Sequence, residues 1–387
     1  MVLTYWNGFT GGDRATYDKL IQKFNATHTH VQINADVQPW DSIAQKLPTA
    51  IAASSGPDLA TPDYNVGTIL QYANNGLIAP LDSLIGSGKN QIPSGALPKT
   101  ITDGFTTQGH LYAAPANFST SALYYNKALF KAAGIANPPT TMQQMRDDAV
   151  KLTKSNGSQY GIALADNNTL AAWPVLIWAD GGDIVDSKNC SALASAETVS
   201  AVNSWAKLIH DDRISPVGLK GQDADNLFSA GKAAMEINGP SATGEYTAAK
   251  VDYGVVPMPT GSSGTPVTLA QTIPIVVNAK SPHRAQAMEF LAWLNSPAQQ
   301  ADLATGSGYP PSLTTMANDP AIKNNPVVQT FAKLSADSRL YLPTQKDFNQ
   351  IDTQIFQPAI EKITRGSDAA STLKNAGTQI NQLTGCK

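Results

Sequence analysis

The sequence predicts an α/β fold made of two interleaved lobes. Strand and helix patterns alternate over residues 2–76 and again over residues 122–294. Between these runs, the apolar residues 109–115 lead into the polar stretch 117–121 and then into another strand. This arrangement is typical of a chain that leaves one lobe and enters another, so we expect a hinge beside a ligand cleft. Because the stretch carries no reactive nucleophile or metal ligand, it favours a protein that closes on a ligand without transforming it.

The first lobe follows from a β-α-β-α-β order of patterns. Apolar residues at alternate positions predict strands, and those at helical spacing predict helices. Asp13 is expected to cap the first helix, whose apolar face carries Tyr17, Leu20 and Phe24. The order is a strand at 2–6, a helix after Asp13, a strand at 31–37, a helix at 43–51, a strand at 58–60 and a helix at 69–73. It indicates a mostly parallel sheet with helices on both faces.

The second lobe repeats this logic. The order along the chain from there is a strand at 122–125, a helix at 142–153, a strand at 160–165, helices at 169–179 and 199–209, strands at 233–237, 253–258 and 273–277, and a helix at 284–294, with further helices to the end. The predicted lobes are 1–114 with 272–308, and 115–271 with 309–387. No internal repeat or long linker separates them.

Composition excludes several classes of function. The chain has 387 residues, of which 42% are hydrophobic and 15% charged, as in a globular protein large enough for more than one lobe. A net charge of −3 argues against nucleic acid or an anionic membrane as a partner. No run approaches the ~18 apolar residues of a membrane span.

The cysteines and the N-terminus give weaker information. Cys190 and Cys386 form one disulfide in an exported protein, or are two unpaired thiols, and their spacing in sequence does not decide between the two. Residues 1–6 enter directly into a strand without a signal peptide. We expect a mature form behind an added Met, although a cytosolic protein would begin in the same way.

The sequence lacks the common catalytic and metal-binding motifs G-x-S-x-G, H-E-x-x-H and C-x-x-C. Residues 86–89 (GSGK) resemble the end of a phosphate-binding loop, but Ser83 stands where its leading glycine should be, and Asn90 follows the lysine. We interpret these residues as a surface turn, and His28 and His30 as a solvated pair. No cofactor or metal is expected.

Aromatic and amide side chains follow the ends of the predicted strands. In open α/β sheets ligands lie beyond the carboxyl ends of strands. Aromatic faces stack on the C–H faces of sugars, whereas amides and carboxylates bond their hydroxyls. We therefore predict a sugar site, and Trp178, Trp205 and Trp293 as core residues. The strand-end residues are Trp6, Asn7, Gly8, Phe9, Trp40, Asp63, Tyr64, Asn65, Asn117 and Phe118, with Trp173 at the start of a helix.

A series of motifs, in this order along nearly the whole chain, resembles one family. The chain resembles the extracellular solute-binding proteins of ABC transporters, in the branch of maltose- and oligosaccharide-binding proteins. The resemblance implies the periplasmic-binding-protein-like fold, in which two α/β lobes joined by hinge crossings enclose a ligand. The motifs are YWNG (5–8), ASSGPD (53–58), GLIAPLD (76–82), GHLYAAP (109–115), YYNK (124–127), FSAGKAAM (228–235), NGP (238–240), YGVVPMP (253–259), FLAWLNS (290–296) and GYP (308–310).

The resemblance also implies which residues line the ligand site. On the first lobe they are Trp6, Asn7, Gly8, Phe9, Thr10, Trp40, Asp63, Tyr64 and Asn65. On the second they are Asn117, Phe118, Trp173, Asn238, Gly239 and Ser241, with Gln271 and Tyr309 at the other two crossings.

One residue departs from the family pattern. The maltose-type pattern places a stacking Trp directly after Asn-Gly-Pro, and this chain has Ser241. That puts maltodextrins in doubt as ligands, although not sugars in general.

The leading hypothesis is capture of a mono- or oligosaccharide by hinge closure and its delivery to the permease subunits of an ABC importer. The first alternative is a glycerol phosphodiester or polyol phosphate bound by the same fold, which would require cations, and only Arg14 and Lys127 lie nearby in sequence. The second is a two-lobed glycoside hydrolase, for which no carboxylate pair stands in proper context. The resemblance further implies a monomer outside the cytoplasm, in the periplasm or held to the membrane by a lipid anchor outside this chain.

Overall fold

The computed structural model describes residues 1–10, 13–62, 66–166, 172–343, 345 and 347–386. Its strands, in chain order, are β1 (Val2–Asn7), β2 (Gln32–Val37), β3 (Leu59–Ala60), β4 (Ile85–Gly86), β5 (Ile92–Pro93), β6 (Thr106–Thr107), β7 (His110–Leu111), β8 (Ala114–Pro115), β9 (Ser119–Thr120), β10 (Ala122–Asn126), β11 (Met235–Asn238), β12 (Tyr253–Val256), β13 (Thr268–Gln271), β14 (Pro274–Val277) and β15 (Ser338–Leu340).

The α-helices are α1 (Arg14–Thr27), α2 (Trp40–Ala52), α3 (Val66–Asn74), α4 (Lys99–Gly104), α5 (Lys127–Ala132), α6 (Met142–Leu152), α7 (Trp173–Ala179), α8 (Ala196–Asp211), α9 (Gly221–Ser229), α10 (Thr243–Ala248), α11 (Arg284–Leu294), α12 (Pro297–Ser307), α13 (Pro320–Lys323), α14 (Pro326–Lys333), α15 (Gln357–Thr364) and α16 (Ala369–Thr384). A π-helix at Gln350–Phe356 precedes α15. Among the described residues, no helix is both long enough and apolar enough for a membrane crossing.

The chain divides into two units, each built from two separate stretches. Unit 1 consists of Met1–Ser119 and Ala270–Ala336, and unit 2 of Thr120–Leu269 and Asp337–Lys387. The chain therefore passes between them after residues 119, 269 and 336, whereas the predicted crossings followed residues 114, 271 and 308. The third differs most, because α13 and α14 belong to unit 1.

Unit 1 is built around a five-stranded sheet in the order β2-β1-β3-β14-β8. Strand β1 pairs in parallel with β2 and β3, and β14 pairs antiparallel with β3 and β8. The predicted parallel pairing is thus found among β1, β2 and β3. Strand β14, which comes much later in the chain, adds antiparallel pairings to β3 and β8. Alternation along β1 buries Leu3 and Tyr5, which share their core with Phe24 of α1 and Phe290 of α11.

Unit 2 contains the sheet β11-β10-β12, and both of its pairings are antiparallel. The prediction that the second lobe repeats the parallel order is therefore wrong for this sheet, because β10 runs opposite to both neighbours. The strand predicted at 160–165 is also absent as a regular element: Tyr160 and Ala163 form only single bridges, to Ala233 and Glu236. Hydrophobic content alone did not distinguish a bridge-forming segment from a strand.

A disulfide joins Cys190 and Cys386, which are 196 residues apart in sequence. It ties the end of α16 to the segment before α8, where the Ser191 amide also donates to Asn381 Oδ1 at 2.7 Å. The alternative of two unpaired thiols, which the sequence left open, is therefore resolved in favour of the bond. Trp205 on α8 is fully buried in the core of this unit, as predicted.

Candidate functional site

The loop after β1 is fixed by its own polar groups. Asn7 is buried, and its Oδ1 accepts from the Phe9 amide at 3.3 Å. The Gly8 amide donates to Thr61 Oγ1 at 3.2 Å, beyond the end of β3. Asn7 therefore holds the loop in shape, whereas Thr10 at its end is exposed.

An aromatic cluster of Phe9, Tyr17 and Trp40 lies against this loop. Phe9 stacks on Tyr17 with 3.6 Å between ring centroids and 8° between planes, and meets Trp40 edge-on at 5.9 Å. Trp40 begins α2, and its indole covers Gly8 so closely that a Cβ there would lie 2.2 Å from Cδ2. Phe9 and Tyr17 are buried, whereas Trp40 is only half-buried and is the member that can offer surface to a ligand.

Polar groups surround the hydroxyl of Tyr17, which donates to the Ala116 carbonyl at 3.0 Å. Burial raises the pKa of Tyr17 well above its usual value, and the nearby Tyr309, Tyr5 and Asp13 raise it further. The side-chain amide of Asn117 has the opposite effect and lowers the pKa of Tyr17. Tyr309, Asp13 and Asn117 therefore each act on Tyr17, one member of the aromatic cluster.

Asp13 is the acidic group that the sequence reasoning missed as a candidate ligand contact. It was predicted as a helix cap, and it does stand directly before α1, but its side chain makes no capping hydrogen bond. Burial raises the pKa of its carboxyl group, and hydrogen bonds from its own backbone amide and from that of Arg14 lower it; within the described residues the carboxyl group forms no ion pair and no hydrogen bond to another side chain. A half-buried carboxylate without a side-chain partner, near aromatic rings, is an acceptor for ligand hydroxyls.

Asn117 and Phe118 were predicted on the second lobe, and this assignment is wrong because both lie in unit 1. Asn117 Oδ1 accepts from the Ile273 amide at 3.1 Å, and its carbonyl accepts from Thr272 Oγ1 at 2.6 Å. Its Nδ2 is buried and has no hydrogen bond of normal geometry among the described residues. Phe118 is also buried, and it lines a small apolar cavity with Pro311 of the same unit.

Other predicted residues of unit 1 keep some exposure. Trp6 is half-buried on the face of β1 opposite to Tyr5, and Gln271 is half-buried at the end of β13. Tyr309 is half-buried and follows Gly308, which ends α12 with a φ of 80°. Asp63, Tyr64 and Asn65 lie outside the described residues.

Trp173 of unit 2 packs into the core. It is 3% exposed, and its Nε1 donates to the Ala165 carbonyl at 3.1 Å. The prediction of a free stacking face at Trp173 does not agree with this packing. Its position at the start of an apolar helix was the available signal for a core role.

Asn238, also predicted as a ligand contact, directs its amide into the protein. Its Nδ2 donates to Asp225 Oδ1 at 2.7 Å and lies 3.1 Å from both Glu236 Oε1 and Tyr246 Oη. Its Oδ1 accepts from the Gly239 amide at 2.7 Å. The side chain therefore supports the turn at Gly239, and the exposed residue of that turn is Ser241.

The described residues contain no cluster of three or more His, Cys, Asp or Glu side chains that could hold a metal. His30 interacts with Glu289 at 3.2 Å, and it lies beside His28 without a third ligand. The two sets of groups suited to recognise a ligand are therefore aromatic and hydrogen-bonding: Trp40 with Asp13 and Tyr309 in unit 1, and Ser241 in unit 2.

Known proteins resemble the chain over most of its length. A maltotriose-binding protein of Pyrococcus abyssi is 26% identical over 341 residues, which are 85% of this chain and 70% of that protein. UgpB from Mycobacterium tuberculosis, solved with glycerophosphocholine, superposes with a TM-score of 0.87 at 22% identity, covering 99% of this chain and 98% of that one. An ABC substrate-binding protein of Listeria monocytogenes, solved with cycloalternan, superposes with a TM-score of 0.86 at 23% identity, covering 100% of this chain and 99% of that one.

These structures share the two-lobe fold of solute-binding proteins, which agrees with the fold class predicted from the sequence. The profile of one protein family, described as bacterial extracellular solute-binding protein, matches residues 10–301. That match covers most of both units and includes Asp13, Trp40, the turn at Gly239 and the strand β14. The chain belongs to the family of bacterial extracellular solute-binding proteins.

Proposed function

We propose that this protein captures a neutral mono- or oligosaccharide outside the cytoplasm and delivers it to the permease subunits of an ABC importer. The observation that carries the proposal is the aromatic cluster of unit 1: the half-buried indole of Trp40 meets Phe9 edge-on, and the carboxylate of Asp13 interacts electrostatically with Tyr17 of the same cluster. An indole face suits sugar C–H groups, and a carboxylate accepts from sugar hydroxyls. The maltotriose-binding relative and the cycloalternan complex support this class of ligand.

Charge supports a neutral ligand over a phosphodiester. Arg14, beside Asp13 in sequence, lies 3.5 Å from Asp18, and Lys127 lies 3.5 Å from Asp252. These are the two cations that the sequence offered for phosphate binding, and each already faces a carboxylate. A phosphate is recognised by cations or by helix N-terminal amides directed at it.

We also propose that the protein binds its ligand without catalysing a reaction on it. One acidic pair of unit 2, Asp225 and Glu236, is held by the Asn238 amide, whose Nδ2 lies 2.7 Å from Asp225 Oδ1 and 3.1 Å from Glu236 Oε1. Glycoside hydrolysis needs two carboxyl groups about 5 Å or more apart, on either side of the bond to be cleaved. This geometry favours capture over hydrolysis. Hinge closure, a monomeric state and a lipid anchor supplied outside this chain belong to the same proposal.

A thermal-shift screen followed by calorimetry tests the function. Monosaccharides, linear and cyclic glucose oligosaccharides and glycerophosphocholine are compared, with wild-type protein and Trp40→Ala side by side. A ligand at ~100 times its dissociation constant adds about 2.7 kcal/mol of stability. We expect a shift with one sugar series that Trp40→Ala reduces. A shift with glycerophosphocholine alone would overturn the proposal in favour of the phosphodiester alternative.

A further inference from the structure

An acidic pair, Asp225 and Glu236, lies behind the turn at Gly239. Glu236 is on β11 and is 2% exposed, and Asp225 is on α9 and is half-buried. The Tyr246 hydroxyl, from α10, donates to Glu236 Oε2, and Asn238 Nδ2 donates to Asp225 Oδ1 at 2.7 Å. Both of these hydrogen bonds end on a carboxyl oxygen.

One amide also bridges the two carboxyl groups, because Asn238 Nδ2 lies 2.7 Å from Asp225 Oδ1 and 3.1 Å from Glu236 Oε1. Two ionised carboxylates are acceptors only, so carboxyl groups this close can bond each other only if one of them carries a proton. The groups that face the pair from the packed elements are acidic or neutral: Tyr124 from β10, with Tyr246 and Glu245 from α10. In the part of the chain that the structure describes, neither carboxyl group forms an ion pair with a cation.

Burial supports retention of this proton. It raises the pKa of Glu236 well above its usual value, and the adjacent Asp225 raises it further. Burial also raises the pKa of Asp225. Two like charges in one buried site disfavour the doubly ionised state, so one proton belongs to the pair and not to either residue alone.

The pair is connected to the surface through Asn238. The Asn238 amide bonds the pair with Nδ2, and its Oδ1 accepts from the Gly239 amide. The Gly239 carbonyl accepts from the Tyr124 hydroxyl at 2.9 Å, and the short helix Pro240–Ala242 follows. That helix carries Ser241, so the orientation of the Asn238 amide determines the position of Ser241.

We propose that Glu236 and Asp225 share one proton at neutral pH, and that Glu236 is a positioning residue whose protonation holds Asn238 and, through it, Ser241 in the binding-competent arrangement. Alkaline pH transfers the proton to solvent and leaves two adjacent carboxylates, of which that of Glu236 is buried. The turn then loosens, and solute affinity falls. The predicted effect on solute affinity rests on the proposed function, in which Ser241 is the ligand contact in unit 2. The shared proton does not depend on that function.

Infrared difference spectroscopy of the whole protein tests the proton without any ligand. Wild type minus Glu236→Gln at pH 7 is expected to show the C=O band of a protonated carboxylic acid, which wild type minus Glu245→Gln lacks. Glu245 is the matched control, since it is a partly buried neighbour bonded to Ser229 at 2.7 Å and outside the pair. Absence of the Glu236 band would overturn the proposal.

Asp225→Asn keeps the test decisive if Glu236→Gln does not fold. Removing the neighbouring charge is expected to lower the pH at which the acid band of Glu236 disappears. An unshifted titration would contradict proton sharing.

The binding arm uses the sugar identified by the screen, at pH 7 to 10. Wild-type affinity is expected to fall with pH, at most roughly tenfold per pH unit for one linked proton. Glu236→Gln should flatten this profile, and Glu245→Gln should retain it. Equal profiles for wild type and Glu236→Gln would overturn the positioning role. Absence of any sugar binding, with the acid band present, would instead overturn the proposed function and limit Glu236 to a structural proton.

Discussion

The indole of Trp40 lies against the α-carbon of Gly8, where any β-carbon would fall 2.2 Å from Trp40 Cδ2. Only glycine at residue 8 permits this packing, so the position of the indole depends on a residue that makes no ligand contact through a side chain. The relationship connects the first strand to the start of α2.

Gly8→Ala is therefore expected to displace Trp40 and weaken sugar binding by ~1–2 kcal/mol, the range of a truncated aromatic contact. Calorimetry with the sugar from the screen measures it. Gly244→Ala is the matched control, because Gly244 lies in α10 and a β-carbon added there would meet no described atom within 4 Å. Equal affinities of Gly8→Ala and Gly244→Ala would show that Trp40 is not a ligand contact.

Substitution of Trp173 is expected to lower stability, whereas substitution of Trp40 is expected to lower affinity. Trp173→Ala should cost ~3–5 kcal/mol of unfolding free energy, because it removes a buried ring from the core of unit 2. Trp40→Ala should cost affinity and much less stability, since the ring is only half-buried. Urea denaturation and calorimetry on both variants separate the roles. A Trp173→Phe variant that folds normally but does not bind would restore Trp173 to the site.

Asp13→Asn is expected to weaken sugar binding and to remove an acidic limb from its pH profile. Burial raises the pKa of Asp13, so the wild-type carboxylate loses its charge at a higher pH than an ordinary aspartate as the solution is acidified. Affinity should therefore fall with falling pH in wild type and stay flat in the variant. Asp18→Asn, which changes an exposed carboxylate four residues from Arg14, is the control. A wild-type acid limb that persists in Asp13→Asn would contradict the role.

Asp352 is expected to make unit 2 less stable as pH rises. Burial raises its pKa to about 7 from an ordinary 3.8, although Tyr341 and Gln357 donate hydrogen bonds to the carboxyl group. Between these two values the folded state binds the proton and the unfolded state does not, so unfolding free energy falls as pH increases. The full effect is at most about 4 kcal/mol.

Asp352→Asn should remove this part of the pH dependence, and urea denaturation at pH 4, 6 and 8 measures it. The exposed Asp223→Asn serves as the control. The same negative slope in wild type and Asp352→Asn would show that Asp352 is ionised in the folded protein.

The disulfide is expected to stabilise unit 2. Replacing Cys190 and Cys386 together by serine should lower the unfolding free energy by ~2–5 kcal/mol, because the bond closes a long loop in the unfolded chain. Denaturation of the double variant, beside wild type with and without reductant, measures the effect. No difference between oxidised wild type and the double variant would mean that the bond adds no stability.

Local patterns in the sequence were sufficient for several of the longer elements of both units. Alternation along residues 2–6 and the helical spacing of Tyr17, Leu20 and Phe24 indicate β1 and α1, and α11 was predicted with its observed bounds. These patterns work because a strand or helix buries one face at a fixed period. They also suggested the parallel orientation of the first three strands, since β-α-β connections favour parallel neighbours.

Pairing across long distances was decided by the tertiary structure. The antiparallel partners of β10 lie more than 100 residues further along the chain, and no local pattern specifies them. The third crossing, after residue 336, likewise follows from where α13 and α14 pack and not from their own sequences. The pairing of Cys190 with Cys386 belongs to the same class, because it depends on the position of α16.

The sequence by itself determined the fold class, the family and the aromatic loop after the first strand. Only the tertiary structure decided which polar side chains face outward. Asn238 and Asp13 show the difference: the amide predicted for the ligand is turned inward to Asp225, and the predicted helix cap makes no capping hydrogen bond. Residue type and spacing report how a segment buries its apolar face, whereas the direction of a hydrogen-bonding group depends on partners that folding brings from elsewhere in the chain.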